Sequence, residues 1–448
     1  MAVPFSVDRA SAADLMQAAT GDGRAAGHIG AVLVLDAVPG FSVAEARRVL
    51  GERIQAVPRL RQRLYRAPPG CGRPYWADDQ AFDSEEHVRQ VRCPLPGDER
   101  ALLDLAAAQL GEPMPRSRPL WSATFVTGLA DGGTGLLVIM DHVLADGVAG
   151  IALLGALVDQ AKTATTRPER FPEPAPGAWE LAVDAWRGRL HRARPTAPGA
   201  PRQARGLRRI REGVAELGGA RPPRRRPATS LNRPVGPRRR LDVVTADLAA
   251  IRDLGHAHGG TVNDVVLAAV AGALRTLLAA RGEQVGEVTI TVPVAARRTA
   301  SDGELGNQIG IMPVTVPASG DFGARVTRTA EITRERKSHP RGASATLFVP
   351  AFLWLARTGL LRWFTRHQRL VQTFVTNLRG PEDPLLFGGA TVREIIAIPA
   401  TTGNVTVAFA AASYAGTLRI AILSDPARMP DVLALAAALR HELSPCRF

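Results

Sequence analysis

A chain of 448 residues with 46% hydrophobic content exceeds one compact core and has ample apolar material, so two lobes are expected, not a small scaffold or a disordered chain. Its three cysteines, Cys71, Cys93 and Cys446, are scattered, odd in number and without metal-ligand spacing, which excludes a disulfide framework and favours a reducing, cytoplasmic setting. The net charge of +14 is concentrated, since seventeen arginines stand against Glu212 and Glu216 between Trp186 and Arg240. Such a stripe suits an anionic membrane surface or the phosphates of a ligand. Nucleic acid is not expected, because no recognition motif occurs and no aromatics interleave the arginines.

The segment Met1–Ser6 lacks a basic stretch followed by an apolar one, so no secretory leader is expected. Ala31 to Leu35 reads as a strand, Val43 to Gln55 and Ala101 to Leu110 as amphipathic helices, and Ser122 to Val126 and Gly135 to Met140 as strands. After Gly147 the apolar residues Ile151, Leu154 and Val158 keep helical spacing. This first lobe, residues 1–167, gives way to a connector, 168–240, rich in proline, glycine and arginine, with helical periodicity at Gly177 to Leu190 and Ala204 to Leu217. Residues 241–448 form the second lobe. Its strands are expected at Leu241 to Val244, Val288 to Val294, Gly310 to Val316, Thr373 to Thr376, Ile395 to Ile398, Val405 to Ala410 and Leu418 to Ile422. Its helices are expected at Asn263 to Leu278, Phe322 to Lys337 and Pro430 to His441. Leu347 to Phe364 is the nearest approach to a membrane span, but Pro350, Arg357 and Arg362 interrupt it; it reads as a core helix with two arginines on its wet face, or as an interfacial one.

The richest string runs from Leu136 to Gly147. A strand-length apolar run delivers Asp141 and His142, and Asp146-Gly147 follows, giving His-x-x-x-Asp-Gly. A histidine fixed at a strand end suits proton abstraction at neutral pH. The same spacing also describes a core histidine with Asp146 as an ordinary helix cap.

An ordered series of motifs supports the catalytic alternative. Gly27-His28-Ile29-Gly30, Val57-Pro58-Arg59-Leu60-Arg61, Trp76, Phe82-Asp83, His87-Val88, Arg116-Ser117-Arg118-Pro119-Leu120-Trp121 and the His142 string occupy the first half. Leu231-Asn232, Asn263-Asp264, Leu305-Gly306-Asn307, Thr376-Asn377-Leu378-Arg379-Gly380-Pro381 and Ser413-Tyr414-Ala415-Gly416 occupy the second. Together they resemble the wax ester synthase/diacylglycerol acyltransferase family nearly end to end. The resemblance implies an α/β, chloramphenicol-acetyltransferase-like fold, shared with condensation domains, in which two mixed-sheet lobes enclose a tunnel.

The implied activity is transfer of a fatty acyl group from acyl-CoA to an alcohol or diacylglycerol hydroxyl in a ternary complex, with acyl-CoA as co-substrate and no metal or redox cofactor. His142 would be the base. Asp146 and Gly147 would shape the site, with Arg297 as the partner of Asp146, while Asn263, Thr376 and Asn377 would line the tunnel. Asn263 also suits a helix cap, and Asn377 suits the turn before Gly380-Pro381. Family members carry His-His-x-x-x-Asp-Gly, so Asp141 is a departure. On opposite faces of a strand Asp141 would support the site from behind; against His142 it would raise that ring's pKa. Pro113-Met114-Pro115 and Arg379 also depart from the family pattern. A carrier-protein thioester or amine acceptor, and a non-catalytic acyl-binding protein, are the alternatives. An anionic membrane or lipid-body surface is the expected macromolecular partner.

Overall fold

The computed structural model describes residues 7–20, 27–144, 155, 158–159, 171–193, 229–295, 309–338 and 352–444. Two six-stranded sheets and a two-stranded ribbon account for its strands. In spatial order the first sheet is Leu386–Phe387, Ala390–Ile398, His28–Leu35, Thr134–Asp141, Trp121–Thr127 and Val88–Arg92. The second is Arg240–Asp247, Thr417–Ser424, Val407–Tyr414, Thr373–Arg379, Glu287–Ala295 and Ile309–Pro317. Both are mixed, with parallel pairing of Val88–Arg92 to Trp121–Thr127 and of Thr373–Arg379 to both its neighbours.

Sheet membership departs from chain order. Residues 386–398, expected in the second lobe, complete the first sheet, where Ile398 lies opposite Gly30 and Ile396 opposite Val32. The physical reason is in the residues: Val392, Ile396 and Ile398 are buried among first-sheet side chains, and the run Ile395-Ile396-Ala397-Ile398, apolar on both faces, needs cover on both sides.

The helices form where caps and apolar spacing coincide. Ser42 accepts from the Glu45 backbone N–H to start Val43–Gln55, whose Ala46, Leu50 and Ile54 are buried at successive turns. Asp98 caps Glu99–Leu110 in the same way, and that helix buries Leu102, Leu103, Ala106, Ala107 and Leu110. The helix Val262–Ala280 is long and apolar enough to span a membrane by composition, but its residues from Asp264 to Leu274 are buried against the second sheet. Each fully buried leucine or valine there contributes about 1.5–3 kcal/mol, which makes it a core helix.

The two sheets share a seam. Val32, Leu137, Ile139 and Ile396 from the first pack with Leu241, Ala421 and Leu423 from the second, under the helix Glu99–Leu110. Polar ties reinforce it, since Arg100 donates to Asp242 Oδ1 at 2.9 Å and to the Leu241 carbonyl at 2.8 Å.

Most expected elements are present with longer ends. The Gly177 to Leu190 periodicity is the helix Ala178–Ala193, whereas most of the segment after Gly147, and all of that from Ala204 to Leu217, lies outside the described residues. Leu347 to Phe364 is not a single core helix. Residues 352–357 are helical, Gly359 turns the chain in the left-handed region at φ 75°, and a second helix runs Leu360–His367.

Candidate active site

Seven of the eight residues of Thr134–Asp141 are buried, so this strand delivers His142 on a rigid support. The flanking strand His28–Leu35 sets His28 opposite Asp141 and Gly30 opposite Ile139. Glycine is required at position 30, because a Cβ would approach the Val138 carbonyl oxygen to 2.5 Å. Past the strand end the backbone is held on several sides. The Leu120 carbonyl accepts from Asp141 N–H at 2.9 Å and the Gly27 carbonyl from His142 N–H at 3.1 Å. The Asp141 carbonyl accepts from Leu144 N–H at 3.0 Å, and its carboxylate accepts from Val143 N–H at 2.9 Å, forming an Asx turn. His142 itself is half-buried. A side chain mounted on so constrained a turn is positioned by its backbone.

Asp141 lies on the His28 side of the strand. Directly opposed residues of antiparallel strands share a face, and here it is the face of Leu137 and Ile139, the seam between the sheets. His28 is buried there and its Nδ1–H donates to the Leu110 carbonyl at 3.0 Å. That carbonyl belongs to the last residue of Glu99–Leu110, where a helix leaves acceptors unsatisfied. Because a carbonyl can only accept, the bond fixes the neutral His28 tautomer with its proton on Nδ1. Burial pushes the His28 pKa below its ordinary value; the Asp141 carboxylate and the Leu110 carbonyl oppose that less strongly, and Arg239 adds to it.

The unfolded chain protonates its histidines near 6.5, whereas folded His28 resists the proton. The unfolded state therefore binds more protons below that pH, and stability is lost as pH falls from 6.5 through the folded pKa. His87, also lowered by burial, acts in the same direction. Asp141→Asn removes a charge that favours the His28 cation, so its melting temperature should fall further than that of the wild type on acidification below pH 6.5. Scanning calorimetry across pH tests this; a shallower acid limb than wild type would contradict the His28–Asp141 coupling.

The other motifs of the first half are supports. Trp121 Nε1–H donates to the Leu60 carbonyl at 2.6 Å. Its ring stacks on His87 with centroids 4.4 Å apart, and His87 Nδ1–H donates to the Trp121 carbonyl at 2.9 Å. Pro119-Leu120-Trp121 thus ties the Asp141 backbone to the core. Arg59 faces Asp8 and lies 4.4 Å over the Trp76 ring, and Arg61 pairs with Asp78.

Among the residues expected from the second half, two roles change. Asn263 is inside the helix Val262–Ala280; the cap is Thr261, which forms a capping box with Asp264, while Asp264 Oδ1 accepts from Thr333 Oγ1 at 2.7 Å. The aspartate and not the asparagine of that pair thus secures the helix start. Asn377 is in the strand Thr373–Arg379, opposite Ala411, and not in a turn, because the pairing continues through Arg379. Alternation sets Thr376 on the face of Leu378, which clusters with Ala397 of the first sheet, whereas Asn377 shares the face of Val375 in the helix-lined core. Thr376 therefore faces the first sheet and Asn377 faces away from it. Asp146, Gly147 and Arg297 lie outside the described residues.

Tyr414 fits the packing role expected of its motif: its hydroxyl donates to the Val392 carbonyl at 2.6 Å and accepts from Leu385 N–H at 2.7 Å. Ala415 and Gly416, both at positive φ, make the tight hairpin that follows.

The sequence reading did not identify the loop after Ile398. Thr402 Cγ2 lies 3.6 Å from where a Cβ on Gly27 would stand, and Gly403, at φ 65°, passes so near Thr365 that a Cβ would meet its carbonyl oxygen at 2.5 Å. The only sequence signal was a glycine among polar residues, which is common to many loops.

Comparison with known proteins bears on this arrangement. A model of the wax ester synthase/diacylglycerol acyltransferase catalytic domain matches residues 11–266, and one of the C-terminal domain of the same family matches residues 305–445. A putative diacylglycerol O-acyltransferase of Mycobacterium bovis is 28% identical over 413 residues, covering 88% of this chain and 86% of its own. A second putative diacylglycerol O-acyltransferase, from Mycobacterium tuberculosis, is 28% identical over 423 residues, 90% of this chain and 89% of its own. Among solved structures, the wax ester synthase/diacylglycerol acyltransferase of Marinobacter aquaeolei superposes with a TM-score of 0.68 at 22% identity, over 98% of both chains. The first condensation domain of the calcium-dependent antibiotic synthetase gives 0.65 at 16% identity, over 100% of this chain and 97% of its own. The two-lobe, condensation-domain-like fold is therefore shared.

Proposed function

This chain belongs to the wax ester synthase/diacylglycerol acyltransferase family and is an O-acyltransferase, and from that premise we propose that it moves a fatty acyl group from acyl-CoA to the hydroxyl of an alcohol or diacylglycerol, giving wax ester or triacylglycerol. The observation that carries the reading is His142, half-buried on a turn clamped by the carbonyls of Gly27 and Asp141 and by the Asp141 carboxylate. His142 takes the acceptor's hydroxyl proton as that oxygen attacks the thioester carbonyl. The C–S bond then breaks, and the same proton passes to the departing thiolate, so the ring ends as it began. No acyl-enzyme forms, and no metal or redox cofactor takes part. Thr376, on the strand face turned toward the first sheet, supplies a hydroxyl to the space the substrates occupy.

The decisive assay follows thioester loss across acyl-CoA chain lengths with alcohol, diacylglycerol and amine acceptors, and with a carrier-protein thioester as alternative donor. Ester formation from acyl-CoA and a hydroxyl is expected. Consumption only with a carrier-protein donor or an amine acceptor overturns the proposal, as does tight acyl-CoA binding without turnover.

The protein works in the cytoplasm at an anionic membrane or lipid-body surface, to which the arginines between Trp186 and Arg240 contribute about 1 kcal/mol each at low salt. Binding to phosphatidylglycerol vesicles that weakens as salt rises is the expected result. Equal binding to neutral vesicles would refute a charge-driven contact.

A further inference from the structure

The helix Leu360–His367 buries only Leu361. Trp363, 62% exposed, and Leu360 face outward, as do Trp354, 59% exposed on the helical stretch before Gly359, and Leu370 just beyond. Four large apolar side chains left in water within seventeen residues form a patch that solvation alone does not explain. Arginines at positions 357, 362, 366 and 369 are interspersed, and no acidic residue occurs between Phe352 and Val371. Tryptophan and arginine are enriched at protein interfaces as well, so composition alone does not choose the partner; the charge does. Four cations without a single anion complement an anionic surface, and aromatic rings set among them suit the boundary between anionic headgroups and acyl chains. A second exposed stripe, Trp179, Trp186 and Leu190, is spaced by seven and four residues along one helix face. Both helices border the same N-terminal segment: Arg9 donates to Asp184 Oδ2 at 2.9 Å and to the Leu181 carbonyl at 2.8 Å, and Ala12–Thr20 packs on Leu360–His367.

A short series of hydrogen bonds and close approaches leads from the patch to the turn that carries His142. Gln368 Nε2–H donates to Asn404 Oδ1 at 2.6 Å, and Asn404 Nδ2–H returns a bond to the Gln368 carbonyl at 2.7 Å. The Thr365 carbonyl oxygen lies 2.5 Å from where a Cβ on Gly403 would stand, Thr402 Cγ2 lies 3.6 Å from where one on Gly27 would stand, and the Gly27 carbonyl accepts from His142 N–H. One loop therefore separates the apolar patch from the proposed base.

We propose that the face bearing Trp354, Leu360, Trp363 and Leu370 docks on an anionic lipid surface, and that a hydroxyl acceptor dissolved in that surface reaches His142 from this side. The idea rests on the acyl-transfer reading and specifies how its less soluble substrate arrives.

The test is the Trp354→Ser/Trp363→Ser double variant of the full chain, compared with wild type in two measurements. Flotation with phosphatidylglycerol vesicles is expected to fall by about tenfold or more. Turnover of acyl-CoA with a short water-soluble alcohol should stay within about twofold, while turnover of a long-chain alcohol held in the vesicles falls about tenfold, through KM and not kcat. Unchanged flotation overturns the docking face, as does loss of flotation only when Trp179 and Trp186 are replaced instead. Equal losses on soluble and vesicle-held acceptors overturn the entry route. Failure of the acyl-transfer reading is distinguishable, because wild type would then float yet esterify neither alcohol. A matching thermal melt for the double variant confirms that these exposed positions leave the fold intact.

Discussion

His142→Ala is expected to reduce acyl transfer by about a hundredfold or more while leaving the protein folded. Activity falls because the acceptor's hydroxyl proton has nowhere to go as the C–O bond forms, and no second imidazole adjoins position 142, where Asp141 stands instead. Folding survives because the backbone of His142 and the carboxylate of Asp141 carry the bonds to Gly27 and Val143 that shape this turn, and both remain in the variant. Acyl-CoA binding should persist, so the loss should appear in kcat. A folded variant with near wild-type turnover would remove His142 from the mechanism.

The largest loss of stability is expected from Asp78→Ala. Arg61 Nε lies 3.2 Å from Asp78 Oδ1, with the two side chains 7% and 2% exposed. Arg61 also donates to the Gln55 carbonyl at 2.8 Å and lies 5.0 Å over the Phe171 ring, and Asp78 Oδ2 accepts from Glu173 N–H at 3.0 Å. Removing the carboxylate leaves a guanidinium charge uncompensated in the interior, at a cost of about 3–5 kcal/mol. The comparison that isolates the charge is Arg61→Met/Asp78→Leu, in which neither ion remains. This double variant should recover much of the loss, since an apolar pair of similar volume is often neutral relative to a buried ion pair. Urea denaturation monitored by tryptophan fluorescence measures both. A single variant within about 1 kcal/mol of wild type would mean that water reaches the pair.

The pattern of agreement between sequence and structure has physical causes. Val43–Gln55 and Glu99–Leu110 were legible because a cap and an amphipathic stripe lie within each segment, so local residues determine them. The fate of residues 386–398 was not, because nothing local in an apolar strand says which sheet it will join; that depends on the edge left open by His28–Leu35. His142 stood out through its motif, whereas the His28–Asp141 opposition needed the register of two strands more than a hundred residues apart. Asparagine suits a cap, so residue type alone leaves Asn263 between a cap and the tunnel wall; Thr261 with Asp264 three residues later forms the reciprocal pair that caps this helix. Trp354 and Trp363, on either side of Gly359, belong to a run that reads as core by composition, but the break at φ 75° divides that run into two helices and both rings stand in solvent.

The crossing of residues 390–398 into the first sheet also governs how this protein must be made. During synthesis the strand His28–Leu35 emerges early, but one of its flanks waits for Ile398, Ile396 and their neighbours, which leave the ribosome near the end of the chain. Until then an apolar edge with unpaired backbone groups is open to any nascent chain nearby. Pairing so remote in sequence is slow to form, and a protein cut anywhere before residue 386 lacks the strand that closes it. Expression as separate halves should therefore yield two insoluble fragments, with solubility recovered only when the halves are produced together.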